Sequence, residues 1–231
     1  MRRKRLGVVL IGQSPRHDIE RQLRTVLGTD IEIELRGALD GLDEAGLAAA
    51  APQSKADTLI AFLPEEQRGV IEETAGRKVS KRAIEDRAEA VIASLKRDGM
   101  PVAMLFCAGD FPHIERKGLF VVPSAVLSGV VDSVFGTGRL GVFMPLADQR
   151  DHFIGRWTKE GRSVVGVPLL PSADPAAIDA AAREMAALDP DFIVMDCLGY
   201  DEAIKLRVQA IVSVPILLAF NTVARVVDEL A

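Results

Sequence analysis

Two side chains in this sequence combine reactive chemistry with matching surroundings: Cys107 and Cys197, its only cysteines. Each closes an apolar, strand-forming run and is followed two positions later by glycine, in Val102-Ala103-Met104-Leu105-Phe106-Cys107-Ala108-Gly109 and in Phe192-Ile193-Val194-Met195-Asp196-Cys197-Leu198-Gly199. A free cysteine taken alone is more often a small buried hydrophobe than a reagent. The carboxyl end of a strand in an α/β sheet is, however, where ligands bind, and glycine there lets main chain approach a ligand closely. A helix starting near Asp201 would draw the second thiol toward its thiolate. Two such thiols, facing each other from two halves of a chain, suit removal of a proton from one face of a carbon and its return to the other. Catalytic roles are therefore assigned to Cys107 and Cys197.

Other groups are positioned to bind or support. Ser14 and Arg16, after the first apolar run, are expected to hold an anionic group, although a solvated loop arginine is an equally ordinary reading of Arg16. Main-chain N–H groups near Ser14, Gly109 and Gly199 are expected to stabilise an enolate-like oxygen. Asp110, three residues after Cys107 in a loop, is free to reach a ligand. Asp196 directly precedes Cys197 in a strand and should point the opposite way, in a supporting role. A charged carboxylate beside either thiol would oppose its ionisation. Tyr200 is placed against the substrate, with packing as the alternative.

Several motifs carry less. Gly136-Thr137-Gly138-Arg139-Leu140-Gly141 has the G-x-G-x-x-G spacing but precedes a strand, whereas a phosphate site needs it to follow one and open a helix. It reads as a connection. His17, His113 and His152 each lack a second histidine at ligand spacing, so no metal site is expected. His113, six residues after Cys107, is the one within reach of the site. No P-loop, nucleophile elbow or H-E-x-x-H occurs, and no cofactor is expected.

The elements that must position these residues follow from alternation. Strands are expected at 5–11, 31–35, 58–63, 101–106, 139–144, 163–167, 191–196 and 214–218, with helical spacing between them in Ile84, Ala88, Val91, Ile92, Leu95 and in Ile178, Ala181, Ala182, Met185, Leu188. Asp174-Pro175 is a cap and first-turn proline. Residues 58–74 break the alternation and read as a β-hairpin inserted in the first half. An internal echo organises the rest: Arg5-Leu6-Gly7-Val8 returns as Arg139-Leu140-Gly141-Val142, and each is later followed by a strand ending in Cys-x-Gly. The expected fold is α/β, with two pseudo-symmetric three-layer halves and mostly parallel sheets. The first half spans 1–130, the second 131–218, and a last helix within 219–231 returns to the first.

Bulk properties limit the partners. A net charge of −5 distributed in short alternating blocks argues against a nucleic-acid face. The apolar run after Met1-Arg2-Arg3-Lys4-Arg5 is too short for a signal core and no run is long enough to span a membrane. Two distant cysteines outside any C-x-x-C pair fit reduced thiols in a cytoplasm, and a homodimer is the default assembly.

A resemblance adds to this reading. Ile11-Gly12-Gln13-Ser14-Pro15-Arg16, the segment 58–74, Phe106-Cys107-Ala108-Gly109-Asp110-Phe111-Pro112, Gly141-Val142-Phe143-Met144-Pro145 with Gln149 and Trp157, Met195-Asp196-Cys197-Leu198-Gly199-Tyr200, and Val214-Pro215-Ile216-Leu217-Leu218 with Ala224-Arg225 together resemble the AroM family over nearly the whole chain. That family is similar to the aspartate/glutamate/hydantoin racemase superfamily, whose fold has two pseudo-symmetric α/β halves with one thiol each. The resemblance implies a cofactor-independent racemase or isomerase of a small carboxylate or lactam, with decarboxylase, hydrolase or non-catalytic small-acid binding as rivals. It sets Pro145 and Gln149 behind the site. Amino-acid racemases of the superfamily follow their cysteines with Asn-Thr and Thr-His. Here Ala108-Gly109 and Leu198-Gly199 stand in those places, leaving main chain to meet the substrate, so amino-acid specificity is not implied.

Overall fold

The computed structural model describes residues 4–54, 57–61, 76–115 and 117–231. Met1–Pro123 with Ala224–Ala231 forms one compact unit and Ser124–Val223 a second. In chain order the first unit contains β1 (Lys4–Leu10), α1 (His17–Leu27), β2 (Ile31–Gly37), α2 (Glu44–Ala49), β3 (Thr58–Ala61), β4 (Arg77–Ser80), α3 (Lys81–Arg97), β5 (Val102–Leu105) and β6 (Phe120–Val121). Then follow α4 (Pro123–Val134), β7 (Gly138–Met144), α5 (Arg150–Trp157), β8 (Arg162–Pro168), α6 (Pro175–Ala187), β9 (Phe192–Met195), α7 (Glu202–Gln209), β10 (Ile216–Leu218) and α8 (Ala219–Leu230). The division falls at Pro123 instead of 130 because α4 is tied to the second unit: the Ser124 carbonyl accepts from Arg156 and Asp132 pairs with Arg162. At the other end, Lys4 of β1 holds Asp228 of α8.

Each unit is built on a four-stranded parallel sheet, ordered β2-β1-β5-β6 in the first and β8-β7-β9-β10 in the second. Strands covered on both faces read as unbroken apolar runs, and all four residues of β5 are buried, as are Ile193–Met195 of β9. The echo seen in the sequence is an echo of register. Leu6 pairs with Val102 and Gly7 with Ala103, as Leu140 pairs with Phe192 and Gly141 with Ile193. The glycine of each R-L-G-V has one use in both units. A Cβ on Gly7 would lie 2.9 Å from Leu95 of α3, and on Gly141 2.7 Å from Met185 of α6. In either unit a side chain of the covering helix would have to shift.

Three of the helices open on side-chain caps, of which Asp174 and a start near Asp201 are legible in the sequence. Ser80 accepts from the Ala83 N–H to open α3, Asp174 from Ala177 to open α6, and Asp201 from Ile204 to open α7. Of the inserted segment the structure describes the first strand and its partner. β3 pairs antiparallel with β4, Thr58 opposite Ser80 and Ala61 opposite Arg77, whereas 70–74 lies outside the described residues. In β4, Val79 is buried and Ser80 passes directly into the cap of α3.

Candidate active site

In both units the cysteine stands two residues beyond the end of an inner strand of the sheet, β5 or β9. The Phe106 N–H donates to the Val9 carbonyl and the Asp196 N–H to that of Phe143, so the ladder is extended by one residue on each side and the cysteine is the first to leave it. Both thiols are half-buried. The Gly109 N–H then donates to the Cys107 Sγ at 3.4 Å and the Gly199 N–H to the Cys197 Sγ at 3.3 Å. Hydrogen bonds to the charged form favour it, so these amides support a thiolate, and the main-chain donors expected to face a substrate oxygen are turned onto sulfur instead.

The first unit holds its loops with helix α3. Glu85, a buried carboxylate, accepts from the His113 N–H at 3.1 Å, and Glu89 one turn later accepts from Glu115 at 2.9 Å, which pins the loop that follows Cys107. Arg87, between them, donates to the Ala38 carbonyl and to that of Asp40. The Asp40 carboxylate in turn takes Ser14 by both its N–H and its hydroxyl, each at 2.7 Å, and the Gly37 N–H at 2.7 Å. Ser14 thus has no proton to offer a ligand and meets one only as an acceptor. Arg16 is engaged as well: its Nε and Nη2 clasp the Asp18 carboxylate at 2.9 and 2.6 Å. Burial pushes Asp18 up, but Arg16 and the Ile19 N–H more than reverse this and hold the carboxyl below its ordinary value. Asp110 is half-buried in the same loop as Cys107.

The second unit is built differently around the same thiol position. Asp196 is buried, and its Oδ2 accepts from Trp157 Nε1 at 2.7 Å and lies 3.2 Å from Arg156 Nη1, both from the last turn of α5. Tyr200 is a correction. It is completely buried and its hydroxyl donates to the Leu169 carbonyl, so it belongs to the core and does not cover a substrate. Burial first, then the nearby charges of Cys197 and Asp196, raise its ionisation well above the ordinary value. Ala108 and Leu198 are also buried, leaving only main chain to present at those positions. Pro145 is half-buried in the loop after β7, adjacent to the Cys197 strand; Gln149 follows, its Oε1 buried with no hydrogen-bond partner among the described residues.

Sequence reasoning did not find Arg156, Asp40, Glu85 or Arg87. Asp40-Gly41 is a turn signal and Glu85 sits beside the apolar stripe of α3, but their partners are far off in sequence. His17 and His152 are exposed, and of His113 it is the main chain that is used. An open depression at the amino edge of β7 and β8, lined by Gly138, Arg139, Lys159, Arg162 and Asp191, lies at the opposite end of the strands from Cys197. Its cations are engaged, Lys159 and Arg162 with Asp132 and Arg139 with the Leu188 carbonyl.

The model of the AroM protein family matches residues 6–231. The chain belongs to the AroM family. Its fold is that of aspartate/glutamate racemase-like proteins. Arylmalonate decarboxylase is similar at 13% identity with a TM-score of 0.58, covering 98% of this chain and 92% of that one. The maleate isomerase Iso from Pseudomonas putida S16 is 11% identical with a TM-score of 0.55, over 96% of this chain and 90% of that one. Glutamate racemase from Francisella tularensis subsp. tularensis SCHU S4, in complex with D-glutamate, is 12% identical with a TM-score of 0.54, over 99% and 81%. No curated protein matches the chain. No helix among the described residues is long and apolar enough to cross a membrane.

Proposed function

We propose that this AroM protein is a cofactor-independent racemase or isomerase of a small carboxylate or lactam, in which Cys107 and Cys197 are the two proton carriers. The observation that supports this most is the repetition: one thiol per unit, at one register position, each receiving the N–H of the glycine two residues on. One thiolate removes the proton next to the carbonyl, and the other thiol delivers a proton to the opposite face, inverting the centre. The carbanion's charge passes to the carbonyl oxygen, which needs fixed donors. Since Gly109, Gly199 and Ser14 direct their N–H groups elsewhere before substrate binds, the donors are other amides of these loops, or Gly109 and Gly199 after the sulfurs move. Enzymes of this fold that act on an arylmalonate, on maleate and on glutamate agree with a small acid as substrate.

The test is exchange of the α-proton in deuterated water, followed by proton NMR over a panel of chiral carboxylates and lactams. Wild type is expected to wash deuterium into its substrate, and both Cys107→Ser and Cys197→Ser to abolish turnover between enantiomers. Undiminished exchange in both variants refutes the reading. The unequal neighbours of the two thiols, Phe106 before one and Asp196 before the other, favour as second reading a decarboxylation that needs one thiol; then one replacement is silent and the other eliminates carbon dioxide release.

A further inference from the structure

The matched registers make Phe106 and Asp196 occupants of one backbone slot, the last ladder residue before the thiol. In the first unit that slot holds a hydrocarbon ring. In the second it holds a carboxylate whose side chain is wholly buried, against an Arg156 side chain only 7% exposed. Arg156 is itself fixed, donating through Nη2 to the Ser124 carbonyl at 3.2 Å, and Trp157 supplies the shorter bond to the same Oδ2. A buried carboxylate is retained in ionised form only when paired and hydrogen-bonded, and one beside a thiol raises the cost of making a second negative charge. The guanidinium cancels that effect.

Resting on the proton-transfer reading above, we infer that Arg156 and Asp196 are positioning residues that set the ionisation of Cys197, the thiol of their own unit. The pair is charge-compensated, and each member therefore biases the thiol in an opposite sense. Of the titratable groups that follow Cys197 in the chain, the next three are engaged. Tyr200 keeps its proton on the Leu169 carbonyl, Asp201 caps α7, and Glu202 is held by Asn221 and Lys205.

The experiment measures the rate of alkylation by iodoacetamide against pH on the full chain, reading Cys107 and Cys197 as separate peptides by mass spectrometry. Arg156→Met is expected to raise the pH midpoint at Cys197 by about one unit, the scale on which a neighbouring charge acts. Asp196→Asn, which keeps an oxygen for Trp157, is expected to lower it. Arg156→Lys restores most of the wild-type midpoint, and Cys107 stays unchanged throughout. Circular dichroism and the fluorescence of Trp157, the chain's one tryptophan, establish that each variant is folded; if Arg156→Met does not fold, Asp196→Asn against Arg156→Lys carries the same comparison. Midpoints moving in the same direction in both charge-removing variants, moving at both cysteines together, or staying put overturn the inference. Because alkylation needs no substrate, shifted midpoints without any deuterium exchange would reject the proposed reaction and keep this inference, and the converse result would do the reverse.

Discussion

Tyr200 is the single tyrosine of the chain and is sealed in the second unit, with its hydroxyl on the Leu169 carbonyl and its ionisation raised by burial and by the charges of Cys197 and Asp196. Raising the pH therefore titrates, besides the cysteines and lysines, one identifiable buried phenol. Its folded value lies above the unfolded value near 10, so its contribution to stability is complete below pH 10 and is lost as pH rises: the unfolded chain releases the phenolic proton and the folded chain retains it. The loss amounts to about 1.4 kcal/mol by pH 11 and about 1.4 kcal/mol for each further unit until the folded group ionises. Replacing Tyr200 by Phe removes this slope and, by leaving a buried carbonyl without its donor, costs about 1–3 kcal/mol at neutral pH. Urea unfolding of wild type and Tyr200→Phe across the alkaline range should show the gap between them closing above pH 10. In wild type, tyrosinate absorbance should appear only as Trp157 fluorescence reports unfolding. Tyrosinate forming with an ordinary midpoint in a protein whose tryptophan signal is still native would show that Tyr200 meets solvent, and the assignment to the core would fall.

Gly37→Ala would place a Cβ 2.4 Å from the Gly12 carbonyl oxygen and 2.6 Å from the Asp40 carboxylate, so a loss of about 4 kcal/mol or more is expected in chemical denaturation, with slowed turnover because Ser14's anchor moves. Asp132→Ala strips the partner from the Arg162 side chain, only 1% exposed; roughly 2–3 kcal/mol should be lost, less than for a fully buried pair because Asp132 is partly solvated. Asp18, held low by Arg16, stabilises the fold above the ordinary carboxylate value and ceases to do so as pH falls through its folded value; Asp18→Asn should flatten the acid limb of a stability profile. A limb identical in both proteins would show that the Arg16 clasp contributes nothing in solution.

What the sequence disclosed is what repeats along the chain. Parallel strands buried on both faces announce themselves as apolar runs, so β1, β5, β7 and β9 and the two cysteines beyond them were legible. So was Asp174 before Pro175, a cap and a first-turn proline with nothing between them. The strand Arg77–Ser80 was hidden because two of its four residues are basic and it has no apolar run of its own. The clasp of Ser14 by Asp40, 26 residues away, and the meeting of Asp196 with Arg156, 40 apart, were hidden for another reason. They depend on which loops lie side by side at one sheet edge, and no local pattern encodes that. Tyr200 shows the same limit: its place next to a cysteine loop suggested a role against the substrate, whereas its ring is buried and its hydroxyl donates to the Leu169 carbonyl.

The donors to both sulfurs belong to the peptide backbone. A side-chain partner can be erased by one base change; a main-chain N–H is present whichever residue occupies the position, proline excepted. The support common to both sulfurs thus goes with the path of each loop, while Phe106 and Asp196, which precede the two cysteines, are side chains open to replacement.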